Sequence, residues 1–297
     1  MTSAKRPSPS RARIASSASV PAGAKRATAV PGQVVYAYCV VSETAPPDLA
    51  ALPPGMPGAT RPRLIELAPR RFLVVADAPE EKYGEQAIER GLHDMAWVSA
   101  CALAHEQVIE HFLGSKALLP MKLFTVFSSE AAATGAMKRG ARRTAKLLDK
   151  LAGHIECGVR VRFLAPPAES APPAASTLSG SGRAFLEAKK QSHNARRTAL
   201  ATASQAAAAL RAALDGPAAE TRALEPPEGV VPGGLLLDAA YLVPKDGVAA
   251  FESVLAQHGP KLQALGCEVI LTGPWPAYHF LDADSAGGAT GPRGAAR

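Results

Sequence analysis

CEVILTGPWPAYHF, Cys267 to Phe280, runs an apolar stretch into a segment with two prolines, a glycine and three aromatic residues. Cys267–Thr272 reads as a strand. Gly273, Pro274 and Pro276 are expected to end it and force an extended path. Aromatics make up only 5% of the chain, so Trp275, Tyr278 and Phe280 within eight residues stand above background. Such a segment can be a ligand platform, a protein-docking edge or a corner that plugs a core. The strand it closes is the last of a series, and that series decides the fold class.

IECGVRVRFL, Ile155–Leu164, alternates apolar and polar residues as a strand does. An alanine-rich helix is predicted over about Arg183–Leu214, stopped by Asp215-Gly216-Pro217. A weak strand follows near Thr221–Glu225 and a stronger one at Leu235–Val243. Asp246 can cap a helix carrying Val248, Phe251, Leu255, His258, Leu262 and Leu265 on one face, with a kink or break at Gly259-Pro260. The order strand, helix, strand, strand, helix, strand is the ferredoxin-like split βαβ pattern.

The first half is also mixed. VVYAYCVV, Val34–Val41, reads as a strand, and Arg63–Leu67 with Arg71–Ala76 as a hairpin. Met95, Val98, Ala102, His105, Ile109 and Phe112 recur at spacings of three and four, which predicts a helix ended by Gly114. LLPMKLFTVF, Leu118–Phe127, reads as a buried strand, and Ser128 or Ser129 as the cap of a single helix to about Leu151. The expectation is an α+β chain of two mixed α/β domains, 33–152 and 153–282, the second ferredoxin-like, with a disordered basic tail at 1–32 and a flexible tail at 283–297. Glu43–Pro62 and Ala165–Ser176 are long proline-rich loops, and one of them is expected to be an interdomain linker.

The net charge of +7 is unevenly spread. Lys5, Arg6, Arg11, Arg13, Lys25 and Arg26 lie in the first 32 residues with no acid among them, so the remainder is near neutral. The basic pI by itself therefore does not argue for nucleic acid. Cys39, Cys101, Cys157 and Cys267 form no C-x-x-C pair and read as buried thiols of a reducing cytosol. No apolar run approaches the ~18 residues of a membrane span, and the N-terminus lacks the apolar core of a secretory signal.

His105-Glu106 begins like a zinc-protease motif, but position 109, where the second histidine would stand, is Ile. His93 and His111 are not one turn from His105, and a histidine on an apolar helix face is usually hydrogen-bonded within a core. Gly180-Ser181-Gly182 precedes a helix but lacks the strand and third glycine of a phosphate-binding turn. Lys138, Arg142, Lys146 and Lys150 form an i, i+4 basic stripe, with Arg139 and Arg143 beside it, and Lys189, Lys190, Arg196 and Arg197 add charge to the long helix. These surfaces could meet nucleic acid or an acidic partner, or could simply be solvated. No strand carries the aromatic RNP1 pattern of a ferredoxin-like RNA module.

GPWPAYHF directly after an ILT strand, YLV within the preceding strand, His105-Glu106 on a helix, LPMKLFTVF and SGRAFLEAKK together resemble the gas vesicle protein L/F family over about Val34–Leu281. Leu123-Phe124 departs from a Phe-Gly found in many members, and no tryptophan stands near Cys157. The resemblance implies a non-enzymatic accessory or minor structural protein of cytoplasmic gas vesicles, without cofactor, metal or small-molecule substrate. Its implied partners are the apolar shell subunit and other vesicle accessory proteins, with no membrane. A nucleic-acid-binding regulator using the basic helices is the alternative. Trp275, Pro276, Tyr278, Phe280, His105 and Glu106 are the candidate interdomain or protein-docking residues.

Overall fold

The computed structural model describes residues 32–164, 182–225 and 234–281. The expected tails (apart from Gly32), the Ala165–Ser176 linker and the Gly180-Ser181 turn lie outside the described residues.

The first sheet is antiparallel and built from β1 (Gln33–Ser42), β2 (Arg63–Ala68), β3 (Arg71–Pro79), β4 (Ala117–Pro120) and β5 (Val126–Phe127). Its order is β2-β3-β1-β4, with β5 also pairing β1. Val34–Val41 of β1 are all buried, because helices cover both faces of this central strand. On one face Tyr36, Tyr38, Val74 and Ala76 pack against Tyr83 of α1 (Glu80–Tyr83) and against Cys101, Val108 and Ile109 of α3 (Met95–Glu110). On the other, Val35, Ala37, Val40 and Val75 pack against Ala133 of α4 (Glu130–Arg139) and Leu147, Leu148 and Leu151 of α5 (Ala141–Leu151). Asp94 and Ser129 cap α3 and α4 by accepting backbone N–H bonds.

The second sheet has the order β7-β8-β6-β9, also antiparallel, from β6 (His154–Phe163), β7 (Glu220–Ala223), β8 (Leu235–Pro244) and β9 (Cys267–Trp275). The alternation read in β6 puts Ile155, Cys157, Val159, Val161 and Phe163 on one face. There they meet Ala203, Ala207, Leu210 and Leu214 of α6 (Gly182–Leu214) and Phe251 and Leu262 of α7 (Val248–Ala264). Ala240 and Leu242 of β8 point the other way and share a cluster with Val35, Leu119 and Leu147, so one apolar core joins the two sheets.

Several expectations are corrected. Leu118–Phe127 is not one strand: β4 stops at Pro120, the chain turns with Phe124 at φ 63°, and only Val126–Phe127 pair again with β1. The helix expected up to Leu151 breaks at Gly140 into α4 and α5. α3 ends at Glu110, four residues before Gly114, and its first apolar residue, Met95, is exposed. The helix is not split at Gly259-Pro260: α7 runs through Pro260, which leaves out the bond its own N–H would have made. Asp246 lies in a short 3-10 turn, and no side chain caps α7. α1 and α2 (Glu85–Gly91), too short for a periodic signal, went unpredicted. The Glu43–Pro62 loop is packed: Leu52 and Met56 are buried, and the Met56 N–H donates to Tyr38 Oη at 3.0 Å.

Candidate functional site

The C-terminal segment does not stop the last strand where its prolines suggested. β9 runs through Pro274 to Trp275, which pairs with Glu156 of β6. Proline is tolerated because β9 is the edge strand of the sheet, with no further strand among the described residues to receive a ladder bond. Gly273 permits the path. Its φ is 106°, and a Cβ there would stand 2.8 Å from the Glu156 carbonyl oxygen. The peptide between Gly273 and Pro274 is cis.

Beyond this corner the segment divides. Trp275 is 42% exposed, and Leu271 on the same strand is 41% exposed. Pro276 and Ala277 are buried, and Tyr278–Phe280 form a short 3-10 turn that enters the join between the sheets. Phe280 is fully buried beside residues of both halves. Its ring lies 5.6 Å from Lys150 Nζ on α5 and 5.4 Å from the guanidinium carbon of Arg222 on β7. Lys150 also donates to the Phe280 carbonyl at 3.3 Å and pairs with Glu220 at 2.6 Å, while Arg222 pairs with Glu220 at 3.1 Å. Burial works to raise the Glu220 carboxyl, but the bonds from Lys150 and Arg222 outweigh it and hold the group below the usual range.

Tyr278 packs on the core of the first half, and its hydroxyl donates to Glu106 Oε1 on α3 at 2.7 Å. Burial raises the Glu106 carboxyl, with the Tyr278 bond acting in the opposite sense. Burial and the carboxylate together push the Tyr278 phenol far above its ordinary value, so it remains a donor at neutral pH. The neighbouring His279 turns to the second sheet. Its backbone N–H donates to Glu156 Oε2 at 3.0 Å, and its Nδ1 lies 2.6 Å from Glu156 Oε1. Glu156 is 4% exposed, and its bond to His279 is the main cause that raises the imidazole above its usual value.

His105 sits one residue from Glu106 but faces the core of the first half, where it is 1% exposed. Its Nε2 is 3.2 Å from the Met121 carbonyl, which can only accept, so Nε2 carries the proton. Nδ1 then accepts from the Tyr36 hydroxyl at 2.9 Å, and Tyr36 Oη in turn accepts from the Phe124 N–H at 3.2 Å. The Tyr38 ring stacks on the imidazole at 5.8 Å, and burial lowers its pKa to about 4. Both ring nitrogens are thus spent on pinning the irregular Met121–Thr125 turn, whose Phe124 stacks on Trp97 at 5.0 Å. Among the described residues no group of three His, Cys, Asp or Glu side chains is placed to hold a metal ion.

Of the six residues singled out by sequence, Glu106 and Tyr278 meet directly. Phe280 and Pro276 are buried, His105 acts locally, and Trp275 faces outward. Glu156, His279, Glu220 and Arg222 were missed, and Lys150, read as the end of a basic surface stripe, turns instead to Phe280 and Glu220. A signal did exist for Glu156: an acidic residue in an otherwise apolar strand start, Ile155-Glu156-Cys157, has to find a partner if the sheet covers it.

The geometry can be set beside known proteins. Two crystal structures share the fold: gas vesicle protein GvpF from Anabaena sp. PCC7120 (TM-score 0.58, 18% identity, covering 84% of this chain and 96% of that one) and GvpF from Microcystis aeruginosa (TM-score 0.56, 15% identity, 84% and 99%). Gas vesicle protein L of Streptomyces sp. (strain CB03234) is 30% identical over 255 residues, 82% of this chain and 91% of the relative. Residues 34–282 match the family model of the gas vesicle synthesis proteins GvpL/GvpF, and the chain belongs to that family.

Proposed function

We propose that this protein is a non-enzymatic accessory factor of cytoplasmic gas vesicles that binds the shell subunit and supports its assembly. Family membership sets the process. The observation that carries the binding role is the edge of β9, unpaired among the described residues, where Leu271 and Trp275 stand exposed while Pro276, Ala277 and Phe280 just beyond them are buried. A shell subunit with an apolar gas-facing surface needs a soluble partner before assembly. Strand addition at β9, with Leu271 and Trp275 as apolar contacts, would provide one through backbone pairing. Tyr278 and Phe280 are then the clasp that fixes β9 against the first half. In this reading 33–152 and 153–282 are the two domains, the second ferredoxin-like, and the clasp holds their relative position.

The test is co-expression with the shell subunit followed by pull-down at low and at about 0.5 M salt, where exposed charge pairs are screened within roughly 4–5 Å. Capture should survive high salt and should be lost in Leu271→Asp and Trp275→Ala with unchanged melting curves. No association with any vesicle protein, together with salt-sensitive capture of nucleic acid on the basic helices, would establish the regulator instead.

A further inference from the structure

The long helix α6 leads two different lives along its length. Its C-terminal part is held on the second sheet through Ala203, Ala207, Leu210 and Leu214. From Arg183 to Thr198 every side chain the structure describes is exposed. Residues 183–200 amount to about 27 Å of helix at 1.5 Å per residue. A helix of that length in water, without packing, is marginal.

Past the sheet the stripe that packs the helix down changes character, keeping a leucine at either end and turning basic between them. Positions 203, 207, 210 and 214 follow the alternating four-three spacing of a heptad seam, and the same spacing continues backward through Leu200, Arg196, His193, Lys189 and Leu186. Leu186 is 65% exposed and Leu200 38% exposed. Lys190 and Arg197 flank the seam. Arg183 is paired with Glu187 at 3.2 Å, but Lys189, Lys190, Arg196 and Arg197 make no ion pair among the described residues. The free part therefore offers two leucines set in four unpaired cations.

We propose that the exposed seam Leu186–Leu200 of α6 docks an acidic amphipathic helix of another protein. The leucines call for apolar partners at the facing seam positions. Lys190 and Arg197 beside the seam call for glutamate or aspartate at the flanking positions, and Lys189 and Arg196, on long side chains within it, reach the same acids. A second copy of this chain is disfavoured as occupant, because two such seams would bring the same cations together. Bare nucleic acid would leave the leucines uncovered. This surface is independent of β9 and of the shell-subunit reading.

The experiment uses the full chain and a labelled synthetic peptide of about four heptads, leucine at a and d, glutamate at e and g. A peptide of the same composition interrupted by proline and a short duplex DNA are run beside it. The amides of 183–198 should exchange fast in the free protein, and the acidic helix should bind and protect them. Combined Lys189→Glu, Lys190→Glu, Arg196→Glu and Arg197→Glu should weaken binding at least tenfold, about 1.4 kcal/mol. Leu186→Asn with Leu200→Asn, which leaves charge untouched, should also weaken it. Melting curves should not move, since these side chains lie outside the buried half. Equal binding of the interrupted peptide, indifference to the leucine changes, tighter binding of DNA through the same cations, or protection of 183–198 before any peptide is added would each overturn the proposal.

Discussion

Tyr278 and Glu106 stand 172 residues apart in sequence and 2.7 Å apart in the fold. One comes from the turn after the last strand of the second sheet and the other from α3 of the first half. Their bond, with His279–Glu156 one residue on, ties a single turn to both halves of the molecule.

Tyr278→Phe should therefore destabilise the protein by about 1–2 kcal/mol, because the half-buried Glu106 loses its donor. In a chain of this size that is a fall of several degrees in Tm, at about 2–4 °C per kcal/mol. Glu106→Gln, which can still accept, should cost less. A cycle of the two single variants and the double should show coupling above about 0.5 kcal/mol. Strict additivity would mean the contact does not hold the turn.

His105 gives the fold an acid-side weakness. Its pKa is lowered from 6.5 to about 4 by burial, so the folded state prefers the neutral ring. Its contribution is complete above pH 6.5 and is lost as pH falls from there towards 4, by about 3 kcal/mol at most on 1.36 kcal/mol per unit. The loss of stability between pH 7 and 4.5, followed by chemical denaturation, should be visibly shallower in His105→Gln. That variant should also be less stable at neutral pH, because the Tyr36–Met121 bridge is disturbed. Parallel curves for the two proteins would refute the assignment of the buried neutral ring.

His279 works in the opposite direction. Its pKa is raised, chiefly by the bond to Glu156, so its contribution is present below its ordinary value near 6.5 and fades as pH rises through the higher folded value. The ring proton signals of His279 should titrate with a midpoint above 6.5 in the unmodified protein and should move back towards it in Glu156→Gln. A midpoint unaffected by that change would sink the pairing.

Gly273→Ala should cost more than about 1 kcal/mol, since φ 106° strains any side chain and the new Cβ would press on the Glu156 carbonyl. Gly114→Ala serves as the control. A Cβ there meets nothing within 4 Å, and its effect should stay within about ±0.5 kcal/mol. Equal effects at both positions would count against the tight corner.

Local pattern carried much of this molecule. The strand β1, the alternation of β6, the long helix α6 and the Ser129 cap of α4 all follow from residue spacing and side-chain chemistry. So did the family, because the proline-aromatic ending at 273–280 is a contiguous string. What spacing could not give is anything set by contact between distant segments. LLPMKLFTVF is apolar enough for one strand, yet it turns at Phe124 because Tyr36 and His105, brought together by β1 and α3, accept and donate the bonds of that turn. β9 continues through its prolines because sheet order leaves it at an edge where the missing N–H is not needed. The roles within GPWPAYHF, Trp275 outward and Tyr278 and Phe280 inward, were likewise invisible in the string. They depend on where Glu106, Glu156 and Lys150 arrive, and only the packing of the two sheets on one core decides that.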